Sequence, residues 1–114
     1  MPTPFYHLSL AKALLDHPDL PERVTEFLRA SICEFMFGNT APDVQVVSSQ
    51  AREDTHFFSL PIQLGDHPAW EIILAKHPKL IPHGNLSPDH IAFLAGYLCH
   101  LQADWFWVKE IFTP

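Results

Sequence analysis

The sequence predicts an all-α protein, a helical domain built around a long, apolar central helix near its C-terminus. Three observations point there. Apolar residues recur every three or four positions, which is the helical period, and no pair of alternating runs could form a hairpin. Eleven prolines, about twice the usual ~5%, fall where helices would start and stop.

The first helix is expected over 5–16, with Phe5, Leu8, Ala11 and Leu15 on its buried side. His17-Pro18 ends it, because the residue before a proline is pushed out of the α region. A second helix should run from Pro21 or Glu22 to Phe37, with Pro21 at the first helical position. Its buried stripe is Val24, Phe27, Leu28, Ser31 and Phe35, and Gly38-Asn39 supplies the stop. Residues 39–54 read as a loop with one helical turn, since Val44, Val46 and Val47 favour extended structure only weakly. A short helix is expected over 55–60, ended by Pro61, and another over 68–76, closed by His77-Pro78. After a loop over 79–86 comes the best-marked start in the chain: Ser87 as cap, Pro88 at the first position and Asp89 in the first turn. That last helix should reach Ile111. Its stretch 91–108 approaches transmembrane length but contains His100, Gln102 and Asp104. An Asp at mid-bilayer costs about 2.5–3.5 kcal/mol, so a helix buried in protein is the better reading.

Composition narrows the chemistry. At 114 residues the chain is read as one domain, and 47% apolar with 18% charged residues is globular composition. Seven Lys and Arg against 13 Asp and Glu give −6, which excludes holding nucleic acid or anionic membrane by a basic patch. There is no glycine-rich phosphate loop, no serine nucleophile elbow and no platform of aromatics interleaved with basic residues. Cys33 and Cys99 read as reduced, small and buried, and no cysteine pair has zinc-finger spacing. The first ten residues lack a basic start followed by an apolar run, so a cytoplasmic protein is expected. Any metal site must come from carboxylates and from the eight histidines, an unusually large number for this length.

His100 and Asp104 stand four residues apart on the last helix, so their side chains share a face. One metal ion could take both, or they could form a hydrogen-bonded pair. The apolar flanks Leu98, Leu101, Trp105, Phe106 and Trp107 make a buried carboxylate expensive without a cation, which favours the metal. Gly96 and Ala103 keep that surface small, so another helix could approach closely. Pro42 would present the Asp43 carboxylate rigidly, although a plain turn looks the same. His56, beside Phe57 and Phe58, and His7 in the first helix would each pass alone for packed residues. His17, His67 and His77 precede prolines, His83 lies in a loop, and His90 occupies a helix first turn; all five read as inert.

As an ordered set, His7, Gly38-Asn39-Thr40-Ala41-Pro42-Asp43, Thr55-His56-Phe57-Phe58 and His100-x-x-x-Asp104 resemble the bacterial zinc-dependent phospholipase C family. Its all-helical fold is shared with the fungal zinc-dependent single-strand nucleases. The run Phe93-Leu94-Ala95-Gly96-Tyr97-Leu98-Cys99-His100-Leu101, followed by Ala103-Asp104-Trp105, is the most telling segment. The resemblance implies one zinc on Asp43, His56, His100 and Asp104. It implies a second on His7, the N-terminal amine and a bridging Asp104, with Pro2 as that amine if Met1 is removed. The family's third zinc has only Glu110 near one of its ligand positions, and its later pair has no counterpart here. The chain thus looks like the N-terminal half of a family member: a fragment, or a shortened relative with one or two metal ions.

The activity implied is hydrolysis of a phosphodiester, in a small molecule or a phospholipid, by metal-activated water, with Asp43 as both ligand and proton acceptor. The competing expectation is a non-catalytic interaction or oligomerisation module with a structural or vestigial metal site. In that case a second copy, or a missing C-terminal half, would cover Trp105, Phe106, Trp107 and Ile111 on the last helix.

Overall fold

A computed structural model of the chain describes residues 4–44, 48, 51–57, 66–78 and 86–112; among them every regular element is helical. In chain order these are α1 (Pro4–Leu15), α2 (Glu22–Ala30), α3 (Ile32–Thr40), a 3₁₀ turn (Ala41–Val44), α4 (Arg52–His56), α5 (Ala69–Lys76) and α6 (Pro88–Phe106). A π-helical turn, Trp107–Phe112, extends α6. The expected amine of Pro2, Val46, Val47, Phe58 and His83 lie outside the described residues, as does the side chain of Ile111.

Helix α6 is central, packing against α1, α2, α3 and α5. It begins as the sequence predicts: Ser87 caps it by accepting from the His90 backbone N–H, with Pro88 in the first turn. It contributes Ala92 to a core cluster with Ala11, Leu15, Leu28 and Phe35. It also contributes Leu101 and Trp105 to a second cluster with Phe57, Ala69, Ile73 and Val108. Its apolar character is interrupted by the buried His100 and Asp104, and no described helix is long and apolar enough to cross a membrane.

Several expectations change. Phe5 is not a core residue: it is 82% exposed, because α1 buries the side that carries His7, Ala11 and Leu15. The single helix expected over 22–37 is two, broken at Ser31 (φ −121°, ψ 46°), and Pro21 precedes the first helical turn rather than occupying it. The Ser31 hydroxyl donates to Asp89 Oδ1 at 2.7 Å, so it serves the start of α6 while its own backbone starts α3. The short helix lies earlier than expected and ends at His56. Trp105 is core rather than a surface awaiting a partner, and Trp107 packs half-buried against the same cluster; Phe106 is the exposed member at 54%. Cys33 is exposed rather than buried, Cys99 is half-buried, and both are free thiols.

Gly38-Asn39 does not stop α3, which runs through both residues to Thr40. A Cβ on Gly38 would fall 2.1 Å from the Phe93 carbonyl oxygen, and one on Gly96 would fall 2.1 Å from that of Phe35. The two glycines let the backbones of α3 and α6 meet without side chains between them. This crossing sets the position of everything described next.

Candidate metal centre

Each side chain of the centre is aimed by a different local device. His100 and Asp104 share the buried face of α6, as their four-residue spacing requires. The α3–α6 crossing brings the Asn39 carbonyl to His100, and the 3₁₀ turn that follows α3 carries Asp43 to the same place. His56 is the last residue of α4, and the chain leaves it through Phe57 at φ 61°, a left-handed conformation rare for a non-glycine residue. Such backbone strain concentrates at functional sites. Tyr97, one turn before His100, donates its hydroxyl to the Thr55 carbonyl at 2.5 Å and ties α4 to α6.

Asp43, His56, His100 and Asp104 each offer one ligand atom, all within 4.8 Å of one another. Five of the separations are given by the side-chain contacts. His56 Nε2 lies 3.2 Å from Asp43 Oδ1, 3.3 Å from Asp104 Oδ2 and 3.3 Å from His100 Nε2. His100 Nε2 lies 3.2 Å from Asp104 Oδ2 and 3.5 Å from Asp43 Oδ1. Zinc binds nitrogen and oxygen ligands at about 2.0–2.2 Å in a tetrahedron, whose edges are then roughly 3.3–3.6 Å. Five of the six edges therefore have the spacing of a zinc tetrahedron, and the sixth, between Asp43 and Asp104, lies within 4.8 Å.

The outward nitrogens support the same use. A carbonyl can only accept, so His100 Nδ1 carries the proton it donates to Asn39 O at 2.5 Å, leaving Nε2 to face the carboxylates. His56 Nδ1 is matched with Thr55 Oγ1 at 2.9 Å, which likewise turns Nε2 inward. Metal-binding histidines are commonly oriented in this way. His7 stacks on His100, with ring centroids 3.6 Å apart and planes 13° apart. Its Nε2 approaches Asp104 Oδ1 to 3.1 Å without hydrogen-bond geometry. Both ring nitrogens of His7, and Asp43 Oδ2, are buried with no hydrogen-bond partner among the described residues. The close approach of His7 Nε2 to Asp104 Oδ1 without hydrogen-bond geometry suits a shared cation.

Burial alone would lower the pKa of His100, but Asp104, Asp43 and the Asn39 carbonyl raise it to about 9. Burial would raise Asp43 and Asp104; the interactions of His100 and His56 with both, and the close approach of His7 to Asp104, outweigh it and hold both well below the usual carboxylate range. The site thus favours two carboxylates with positive charge between them, a charge that a divalent ion supplies. The residues present fit zinc. The Cys99 thiol, raised to about 11 by burial, plays no part in such a site.

All five residues singled out from the sequence come together here. Asp43 is the most accessible, its side chain 21% exposed at a cavity shared with Pro4, Phe37, Thr40, Ala41 and Val44. Among the other histidines, His17 Nδ1 accepts from the Asp19 backbone N–H and exposed His67 pairs with Glu71. His77 and His90 instead line a second cavity. Sequence reasoning missed Asn39, Thr55 and Tyr97, which orient the candidate ligands through a carbonyl or a hydroxyl. The one signal for Tyr97 was its place one turn before His100.

A family model described as Zinc dependent phospholipase C matches residues 6–107, a span that contains all five residues. No curated protein and no solved structure matches the chain.

Proposed function

This chain belongs to the zinc-dependent phospholipase C family, and on that premise we propose that it hydrolyses a phosphodiester of the phospholipid class, with Asp43, His56, His100 and Asp104 as its zinc ligands. Its cofactor is Zn2+. The observation that carries the proposal is the set of five inter-ligand separations of 3.2–3.5 Å, contributed by three separate segments of the chain. His7 Nε2 and Asp104 Oδ1, 3.1 Å apart, would hold a further ion.

When bound, zinc supplies Lewis acidity and lowers the pKa of its water towards 7. The remaining work falls to the chain. Asp43 Oδ1 faces the histidines, and the partly exposed Asp43 carboxylate accepts the proton of the attacking water. The water oxygen bonds to phosphorus and one ester P–O bond breaks, giving an alcohol and a phosphomonoester. Buried His100 and Asp104 keep bulk solvent away on the protein side, so substrate approaches from the Asp43 side.

The test is hydrolysis of bis(4-nitrophenyl) phosphate and of short-chain phosphatidylcholine by zinc-loaded protein. Activity should vanish with chelator, return with zinc, and be absent in His100→Ala. Zinc uptake without turnover of either substrate would sink the enzyme reading and leave a metal-stabilised module.

A further inference from the structure

A second cavity, of about 700 Å3, is lined in part by neighbours of the metal centre's residues. Its walls are Phe57, Ile73, Leu86, Phe93, Leu94 and Tyr97, and its size falls in the range of ligand pockets, about 300–1,000 Å3. Two of these residues are physically linked to the centre. Phe57 follows His56 directly, and its left-handed backbone turns the chain away from helix at that point. Tyr97 anchors Thr55 and sits one turn from His100.

Aromatic contacts join the lining of this cavity to that of the mouth at Asp43. Phe37, which lines that mouth, stands with its ring centroid 5.6 Å from Phe93; Phe93 stands 6.2 Å from Tyr97, and Tyr97 stands 6.4 Å from Phe57. Four aromatic rings thus stand in a row between the lining of the Asp43 mouth and that of the second cavity. Among the described residues the charged or chargeable lining groups, Lys76, His77 and His90, are all basic. Leu94 is only half-buried and belongs to neither core cluster, so it lines the cavity rather than holding the fold.

We propose that this groove holds one acyl chain of the phospholipid whose phosphodiester lies at the Asp43 side of the metal centre. The proposal rests on the phosphodiesterase reading and adds to it the apolar part of the substrate. A chain laid along the Phe37–Phe93–Tyr97–Phe57 row leaves water and buries apolar surface, gaining about 25 cal/mol per Å2. Hydrolysis would then favour substrates with chains long enough to reach Phe57 over short ones with the same head group.

The test uses methyl NMR of the full zinc-loaded chain, titrated with dodecylphosphocholine below its micelle concentration, with phosphocholine, and with laurate. Dodecylphosphocholine should shift the methyls of Ile73 and Leu94 and spare Leu15 and Leu28, whereas phosphocholine should leave all four unchanged. Leu94→Glu should weaken that binding at least tenfold, and the milder Leu94→Ala severalfold, with helical circular dichroism retained. The ratio of kcat/KM for long- over short-chain phosphatidylcholine should fall towards one in both variants. Shifts that appear only at Leu15 and Leu28, or nowhere, overturn the proposal. So does laurate binding that is tighter than dodecylphosphocholine and lost in Lys76→Ala, which would mark a fatty-acid site. Failure to hydrolyse any phosphodiester, with the Ile73 and Leu94 shifts intact, defeats the enzyme reading alone; hydrolysis of bis(4-nitrophenyl) phosphate without those shifts defeats the groove alone.

Discussion

At the scale of single residues, the centre depends on atoms that never touch the ion. Thr55 Oγ1 orients His56 and the Asn39 carbonyl orients His100. Removing such outer partners typically costs 10–100-fold in metal affinity. Thr55→Val should therefore weaken zinc binding by about that factor, read by competition with a zinc indicator, while the fold survives. A pH effect follows from the same atoms. The folded pKa of His100 is raised, so in chelated protein its contribution to stability is complete below 6.5 and is lost as pH rises through about 9. The depressed Asp43 and Asp104 contribute above 3.8 and lose that contribution as pH falls. Chelated protein should melt highest between about pH 4 and 6.5. Zinc requires neutral imidazole and replaces the proton, so the increase in melting temperature on adding zinc should be larger at pH 9 than at pH 6. The five ligating candidates were legible in the sequence because a histidine or a carboxylate amid apolar residues is itself a chemical signal. The supporting groups were not: every residue has a carbonyl, and a threonine hydroxyl is too common to stand out.

At the scale of elements, the α3–α6 crossing governs the site. Gly96→Ala places a methyl 2.1 Å from the Phe35 carbonyl oxygen and 3.0 Å from the Asn39 nitrogen, and the helices must part. Overpacking of this kind typically costs 1–3 kcal/mol, and here the obstacle is backbone that cannot change rotamer. Gly96→Ala and Gly38→Ala should each lower stability by at least about 2 kcal/mol in urea melts and weaken zinc binding as well, because the Asn39 carbonyl retreats from His100. The sequence disclosed half of this arrangement. Gly96 and Ala103 were readable as a small surface a helix could approach. Gly38-Asn39 instead resembled an ordinary helix stop, because a glycine that relieves a close approach and one that ends a helix look identical without the partner. The break at Ser31 was hidden for a similar reason: its hydroxyl bonds to Asp89, fifty-eight residues away.

At the scale of the whole molecule, a chain of net charge −6 gathers one buried carboxylate, one partly buried carboxylate and three buried histidines around one point. A ligand that binds only the folded state stabilises it by about 2.7 kcal/mol at a hundredfold excess over its Kd. Chelator should lower the melting temperature by on the order of 10 °C, and zinc should restore it; an unchanged melt would mean that the cluster holds no metal. The sequence by itself determined the all-helical class, the start of α6, the pairing of His100 with Asp104, and the order of donor residues that marks the family. These follow from local rules: helix period, capping chemistry and the scarcity of acids and histidines in apolar surroundings. Only the tertiary structure decided that Asp43 and His56 come within 3.5 Å of His100, that His7 stacks on it, and that four aromatic rings stand in a row between two cavities. Those placements depend on how closely two backbones can approach across long sequence separations, a property of pairs of helices that no single stretch of sequence displays.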